Sequence, residues 1–250
     1  MFEGSVKIKD KSIPCTSLGT APFAGLTYFG HRSRLYQIDL YNNPENIRKI
    51  IETSYNLGVR AIQLIPEPPV IEALRGAVES GLDFSIIGTI RAGRFQEDLR
   101  LLLDLEADAI LLDEEYTDKL EAWELEDLLN SINNTGVVCG LITAFPRNTT
   151  RKLLVSDDIL DLFDIYMIPL NKLGYMMDFP CFLKDERKEL EEMILDTGKF
   201  IMAHKILAAG ILKPDEAFKF LESVDYIDMV SIGVASVEEA EETFTLLFKY

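Results

Sequence analysis

Asn43-Pro44-Glu45 opens the stretch that decides the fold, and Gly58-Val59-Arg60-Ala61-Ile62-Gln63-Leu64-Ile65 closes it. An acceptor side chain at Asn43, proline behind it and a carboxylate in the first turn predict a helix start. Gly58 predicts the helix end. Ala61–Ile65 then runs almost without polar interruption, as a short strand buried on both faces does. A helix, a glycine and a buried strand form the repeating unit of an α/β fold.

The unit recurs along the chain. Candidate strands are Thr16–Thr20, Ala61–Ile65, Ser85–Thr89, Ala109–Leu112, Val137–Ile142, Ile165–Ile168, Phe200–His204 and Met229–Ile232. Helical patterns lie between them. One is predicted from Lys119 to Ile132, and another opens at Lys213-Pro214-Asp215-Glu216 with carboxylates in its first turn. Eight such units in 250 residues predict an α/β fold, a (β/α)8 TIM barrel. Val6–Lys9 and Ser12–Cys15, joined at Asp10-Lys11, read as a β-hairpin ahead of it. The expected organisation is one domain over residues 1–250, with the hairpin in 1–15 and the barrel in 16–250.

A net charge of −17 argues against a nucleic-acid partner, because neutralising phosphates takes clustered Lys and Arg. It also argues against an anionic membrane surface. The three cysteines, Cys15, Cys139 and Cys181, show no metal or disulfide spacing, so reduced thiols in a cytoplasm are expected. The N-terminus reads as no signal peptide.

In barrels of this kind the chemistry sits at the carboxyl ends of the strands. Those ends carry Gln63, Glu67, Arg91, Asp113, Glu114, Glu115, Thr143, Asn171, His204 and Lys205. Each is either a pocket residue or a rim residue that caps a helix. Since His204 and Lys205 are adjacent on a strand, only one is expected to face the barrel. The loop Phe29-Gly30-His31-Arg32-Ser33-Arg34 reads as an anion clamp or a plain surface loop. Leu173–Cys181 reads as a second apolar lid or a subunit interface, and a homo-oligomer stays open.

Ser17-Leu18-Gly19-Thr20-Ala21-Pro22-Phe23, Gly58–Gln63 and Leu207–Thr243 resemble the matching stretches of aldo-keto reductases. The resemblance implies a nicotinamide-binding barrel with a hairpin plugging its bottom, and it implies a catalytic tetrad that this chain lacks. Gln63 stands for the family's aspartate, Pro68 for its tyrosine and Asp113 for its histidine; the third strand has no lysine, and Arg91 is the nearby cation. Thr143-Ala144 replaces the pair that holds the carboxamide, Met167 a glutamine, His204 the stacking aromatic and Thr243 the adenine-reading asparagine, while Asn171, Gly233 and Ser236 keep family positions. Ile232–Phe248 has no Lys or Arg for a 2′-phosphate and carries Glu238, Glu239, Glu241 and Glu242 instead. NADP is therefore disfavoured, and NAD or a smaller ligand is left open.

The reading is an oxidoreductase-like barrel acting on a small organic substrate with altered or lost machinery. Arg91 would hold a substrate anion, with Gln63, Glu67, Thr143 and Asn171 around it. His204 would stack or move a proton, with Asp113 beside it. Lys205 would attack a carbonyl or pair with Asp113 or Glu115. The alternatives are a non-catalytic ligand- or partner-binding barrel, and a metal-assisted lyase or hydrolase built on Asp113 or Glu115, Glu67 and His204.

Overall fold

The computed structural model describes residues 1–119, 121–178 and 184–250, apart from the side chains of 157 and 184–186. Eight parallel strands close into a barrel in chain order: β3 (Thr16–Gly19), β4 (Ala61–Leu64), β5 (Ser85–Ile90), β6 (Ala109–Leu112), β7 (Val138–Ile142), β8 (Ile165–Pro169), β9 (Phe200–His204) and β10 (Met229–Gly233). β10 pairs with β3 to complete the ring, with Gly233 opposite Gly19. The antiparallel hairpin β1 (Ser5–Ile8) and β2 (Lys11–Pro14) precedes it. The fold is the expected (β/α)8 TIM barrel with an N-terminal hairpin. The hairpin turns at Lys9-Asp10, one residue earlier than its polar pair suggested, with Lys9 at φ 54°.

Strand residues alternate between two apolar layers, as the pleat requires. The outer layer, including Ile62, Leu102, Leu129 and Phe244, packs strands against helices. The inner layer joins Ala61, Ile87, Leu111, Ile165, Met202 and Met229 to Ile8 and Ile13 of the hairpin. The hairpin therefore plugs the bottom of the barrel, and ion pairs tie it there: Lys11–Asp108 at 2.9 Å and Lys9–Asp164 at 2.8 Å. With the bottom filled, the inside of the barrel opens at the opposite end.

The helix Pro44–Asn56 begins on its proline and ends before Gly58, at φ 109°, although the Asn43 side chain makes no cap bond. The helix expected over Lys119–Ile132 is instead two, Glu114–Lys119 and Ala122–Asn133. The first starts where the Asp113 carboxylate accepts the Glu115 N–H at 3.0 Å. Cys15 and Cys139 are buried free thiols, and burial pushes Cys139 up to about 12; Cys181 lies outside the described residues. Among the described residues no helix is long and apolar enough to cross a membrane.

Gly140 is where the barrel wall has least room. A Cβ there would stand 2.7 Å from the Ile165 carbonyl oxygen and 2.9 Å from Leu111 Cγ. Backbone of a neighbouring strand cannot step aside as a side-chain tip can. Gly140→Ala should therefore destabilise the barrel by about 1–3 kcal/mol in urea unfolding; an unchanged midpoint would show that β7 and β8 can spread.

Candidate active site at the barrel mouth

A cavity of about 340 Å³ opens at the carboxyl end of the strands, off-centre toward β9, β10 and β3. Sequence explains its position. The last inward residues on that side are small: Gly19 on β3, and Ser231 and Gly233 on β10. A Cβ on Gly19 would meet Ser231 Oγ at 2.8 Å, and one on Gly233 would meet Pro22 Cδ at 2.9 Å. Gln63, Met167 and His204 form the barrel-side wall, and Tyr28, Phe29, Arg32 and Tyr36 cover it from the loop after β3. Leu212, Lys213, Glu239, Glu242 and Thr243 also line it.

His204 and Lys205 both line this cavity, against the strand-alternation expectation. Lys205 lies just past β9 and takes a left-handed conformation, φ 56°, which swings its side chain back to the side that His204 faces. Its side chain is only 6% exposed; Nζ lies 3.1 Å from Glu114 Oε2 and 5.4 Å from the centre of the Tyr28 ring. The expected partners were Asp113 or Glu115; Glu114 takes the contact because Asp113 turns to cap its own helix and Glu115 is exposed. Burial, and then the Lys205 charge, holds the His204 imidazole well below its usual value, so it is neutral. Among the described residues its Nε2 is buried with no hydrogen-bond partner. Burial raises the Asp113 carboxyl to about 6, reinforced by Glu114 and Glu115 and opposed by the Glu115 N–H and Lys205.

The other sequence candidates are held elsewhere. Arg91 grips the fully buried Asp98 carboxylate through Nε at 2.9 Å and Nη2 at 2.7 Å, and its Nη1 meets Glu67 at 2.8 Å. Tyr41 donates to the second Glu67 oxygen at 3.4 Å. Neither Arg91 nor Glu67 lines the cavity. Gln63 does, and its Nε2 donates to Thr89 Oγ1 at 2.7 Å. A neutral bond thus joins the ends of β4 and β5, where the resemblance implies an aspartate and a lysine. Thr143 donates to Asp118 and accepts the Phe145 N–H, while Asp118 also accepts Ala144 N–H at 2.8 Å and Thr149 at 2.7 Å. Asn171 ties off its own loop through Leu173 and Tyr175. Ser236 caps the helix Val237–Leu247, accepting the Glu239 N–H at 3.1 Å. Of the proposed cofactor pair, only Gly233 borders the cavity.

Sequence reasoning missed Asp118, and it centred the candidate anion clamp of the loop Phe29–Arg34 on His31 rather than on Arg32. Asp118 carries no local signal, because its partners lie on the next βα loop. His31 is exposed and outside the cavity, whereas its neighbour Arg32 lines it. Arg32 bonds the Ala209 carbonyl at 3.5 Å and stands by Tyr36, with no ion-pair partner among the described residues. A Cβ on Gly210, at φ 80°, would run into its guanidinium. The loop from Leu173 is described as far as Asp178, which caps the helix Pro146–Leu153 by accepting the Arg147 and Asn148 N–H groups; it does not line the cavity. Phe179–Cys181 lie outside the described residues. Among the described residues no three His, Cys, Asp or Glu side chains gather as a metal set. Glu67, Asp113, Glu115 and His204 are therefore not brought together as ligands.

Two outcomes follow from these contacts. Arg91→Ala would leave Asp98 buried without its cation and should cost about 3 kcal/mol or more in chemical unfolding; unchanged stability would return Arg91 to the pool of ligand-binding groups. Asp113 binds its proton more tightly folded than unfolded, so its contribution to stability falls as pH rises from about 4 to about 6. Asp113→Asn keeps an acceptor for the Glu115 N–H. It should raise the melting temperature at pH 7.5, with the gain shrinking toward pH 4; a gain equal at both values would contradict the raised carboxyl.

No protein-family model matches the chain, and no curated protein matches it in sequence. Solved structures do. A proposed aldo-keto reductase from Pseudomonas aeruginosa superposes with a TM-score of 0.64 at 16% identity, over 96% of this chain and 92% of that one. An aldo-keto reductase from Klebsiella pneumoniae, solved in complex with NADPH, superposes with a TM-score of 0.63 at 13% identity, over 99% and 90%. At such identities the likeness is one of fold, and the fold is that of a remote aldo-keto reductase-like TIM barrel.

Proposed function

We propose that this barrel binds a small organic ligand at its mouth together with a nicotinamide nucleotide lacking the 2′-phosphate, and that any redox chemistry there runs without the tyrosine–lysine pair. The cavity itself carries this reading. Met167, His204, Gly233 and Thr243, the positions that the resemblance implies for the cofactor, border one continuous space. The similar Klebsiella protein was solved with NADPH. Glu239 and Glu242 in the lining oppose a further phosphate, with Lys213 acting the other way. The neutral His204 offers an aromatic face without a competing charge.

A second reading has its own support. Thr143 and Asn171 spend their polar atoms inside the protein, and Gln63 spends its amide on Thr89. A barrel that binds a ligand without transforming it is consistent with those contacts.

Calorimetric titration separates the two. Trp123 is unsuitable as a reporter, since it is 73% exposed and does not line the cavity. NADH should bind in the micromolar range, with NADPH about ten-fold weaker or worse because its phosphate meets carboxylates. Binding of neither would retire the nucleotide and leave the ligand-binding reading.

A further inference from the structure

We propose that Lys205 forms a covalent imine with a small carbonyl compound that carries an anionic group. Imine formation needs an amine shielded from bulk water, facing a ligand space, beside one group that can exchange protons with it. Lys205 meets these conditions together. It borders the cavity, its side chain is almost fully covered, and Glu114 lies 3.1 Å from Nζ. The Tyr28 ring closes over the ammonium.

Its backbone adds an independent observation. A left-handed lysine costs about 1–2 kcal/mol. Ala208 at φ 48° and Ala209 at φ 55° follow in the same loop, also left-handed and also without the excuse of glycine. Such strain gathers where a side chain must be aimed. Here it aims Lys205 into the space that His204 borders.

Arg32 supplies the selection. In a chain with 42 acidic and 25 basic residues, it is a cavity-lining cation with no ion-pair partner among the described residues. A carboxylate or phosphate on the ligand would take that place. The ligand class is therefore a 2-oxo acid or an aldehyde or ketone bearing an acidic group.

The step balances without oxidant or reductant. The Lys205 ammonium passes one proton to Glu114, and the freed nitrogen pair attacks the carbonyl carbon as the C=O pair moves to oxygen. Glu114 returns the proton to that oxygen and then takes a second one from nitrogen. It delivers this proton to the hydroxyl as the C–O bond breaks and water leaves. Ammonium plus carbonyl becomes iminium plus water, with charge conserved. The nucleotide reading and this one share the mouth cavity, but imine formation needs no nucleotide, so titration with NADH and trapping of an adduct fail independently.

The test uses pyruvate as the anionic probe, acetone as its uncharged counterpart, and cyanoborohydride to reduce any imine, followed by peptide mass spectrometry. The expected product is a saturable adduct at Lys205, heavier by the mass of the probe less one oxygen atom. Glu114→Gln should slow it about a hundred-fold, and Arg32→Ala should remove an about ten-fold preference for pyruvate. Lys205→Arg keeps the cation beside Glu114 and should give no adduct at that position. Wild-type protein without an adduct at Lys205, or labelled evenly over its exposed lysines, would overturn the proposal. Equal labelling by acetone would overturn its anionic part.

Discussion

Closure of the barrel between β10 and β3 sets Gly19 and Gly233 opposite one another, with Ser231 beside them. Neither glycine tolerates a Cβ without displacing Ser231 or Pro22. Everything distinctive about the mouth depends on that lack of bulk. Elsewhere the end of the barrel is filled by Gln63, Ile142 and Met167. At the seam Ser231 and Pro22 pack against the glycines, and the space lies beyond them, between the loops that follow β9 and β10. Because the hairpin has sealed the other end with Ile8 and Ile13, the seam is where a ligand finds room.

Burial then sorts the polar groups of the mouth into two sets. Arg91, Thr143 and Asn171 are saturated by partners within the protein, and removing any one of them strands a buried donor or acceptor. They hold loops and strand ends in place. His204, Lys205 and Arg32 keep capacity to spare: an unpartnered ring nitrogen, an ammonium with one carboxylate, and a guanidinium with a long contact to a carbonyl. Of these six, the second set is the one that can turn its polar atoms to a ligand. The saturated set also shows how an aldo-keto reductase-like barrel can be held together without a tyrosine–lysine pair at its strand ends. Neutral and ionic bonds internal to the protein have taken over the strand ends.

Most of the fold was legible because buried parallel strands are written as apolar runs. The strand ends came out within a residue or two, since Thr20, Ile65 and Val137 differ from the observed limits only at the edges. The broken helix at 114–133 was not legible. Asp118 in its first part bonds Thr143, Ala144 and Thr149, and no local pattern encodes contacts of that range. At the mouth, strand-end position singled out Gln63, His204 and Lys205 and the resemblance singled out Gly233, and all four border the cavity. Arg91 and Glu67 were misjudged for a physical reason: a lone cation at a strand end looks free until a buried carboxylate seven residues on, Asp98, is seen to claim it. The turn of Lys205 was hidden as well, because nothing in a lysine signals a positive φ.

The electrostatics of the whole chain give the remaining step. At a net charge of −17, a basic residue has many carboxylates to choose from. Lys9, Lys11, Arg48, Arg91 and Arg151 have each found one. An arginine left without one beside a cavity is therefore held off by geometry: Gly210 gives it a seat, and the Ala209 carbonyl takes one of its donors. Next to it, Lys205 and Glu114 cancel, and His204 stays neutral. The lining thus mixes Arg32 and Lys213, cations without an ion-pair partner among the described residues, with the carboxylates of Glu239 and Glu242. An anionic group on a ligand in this cavity is drawn to Arg32 and Lys213 and away from the two glutamates.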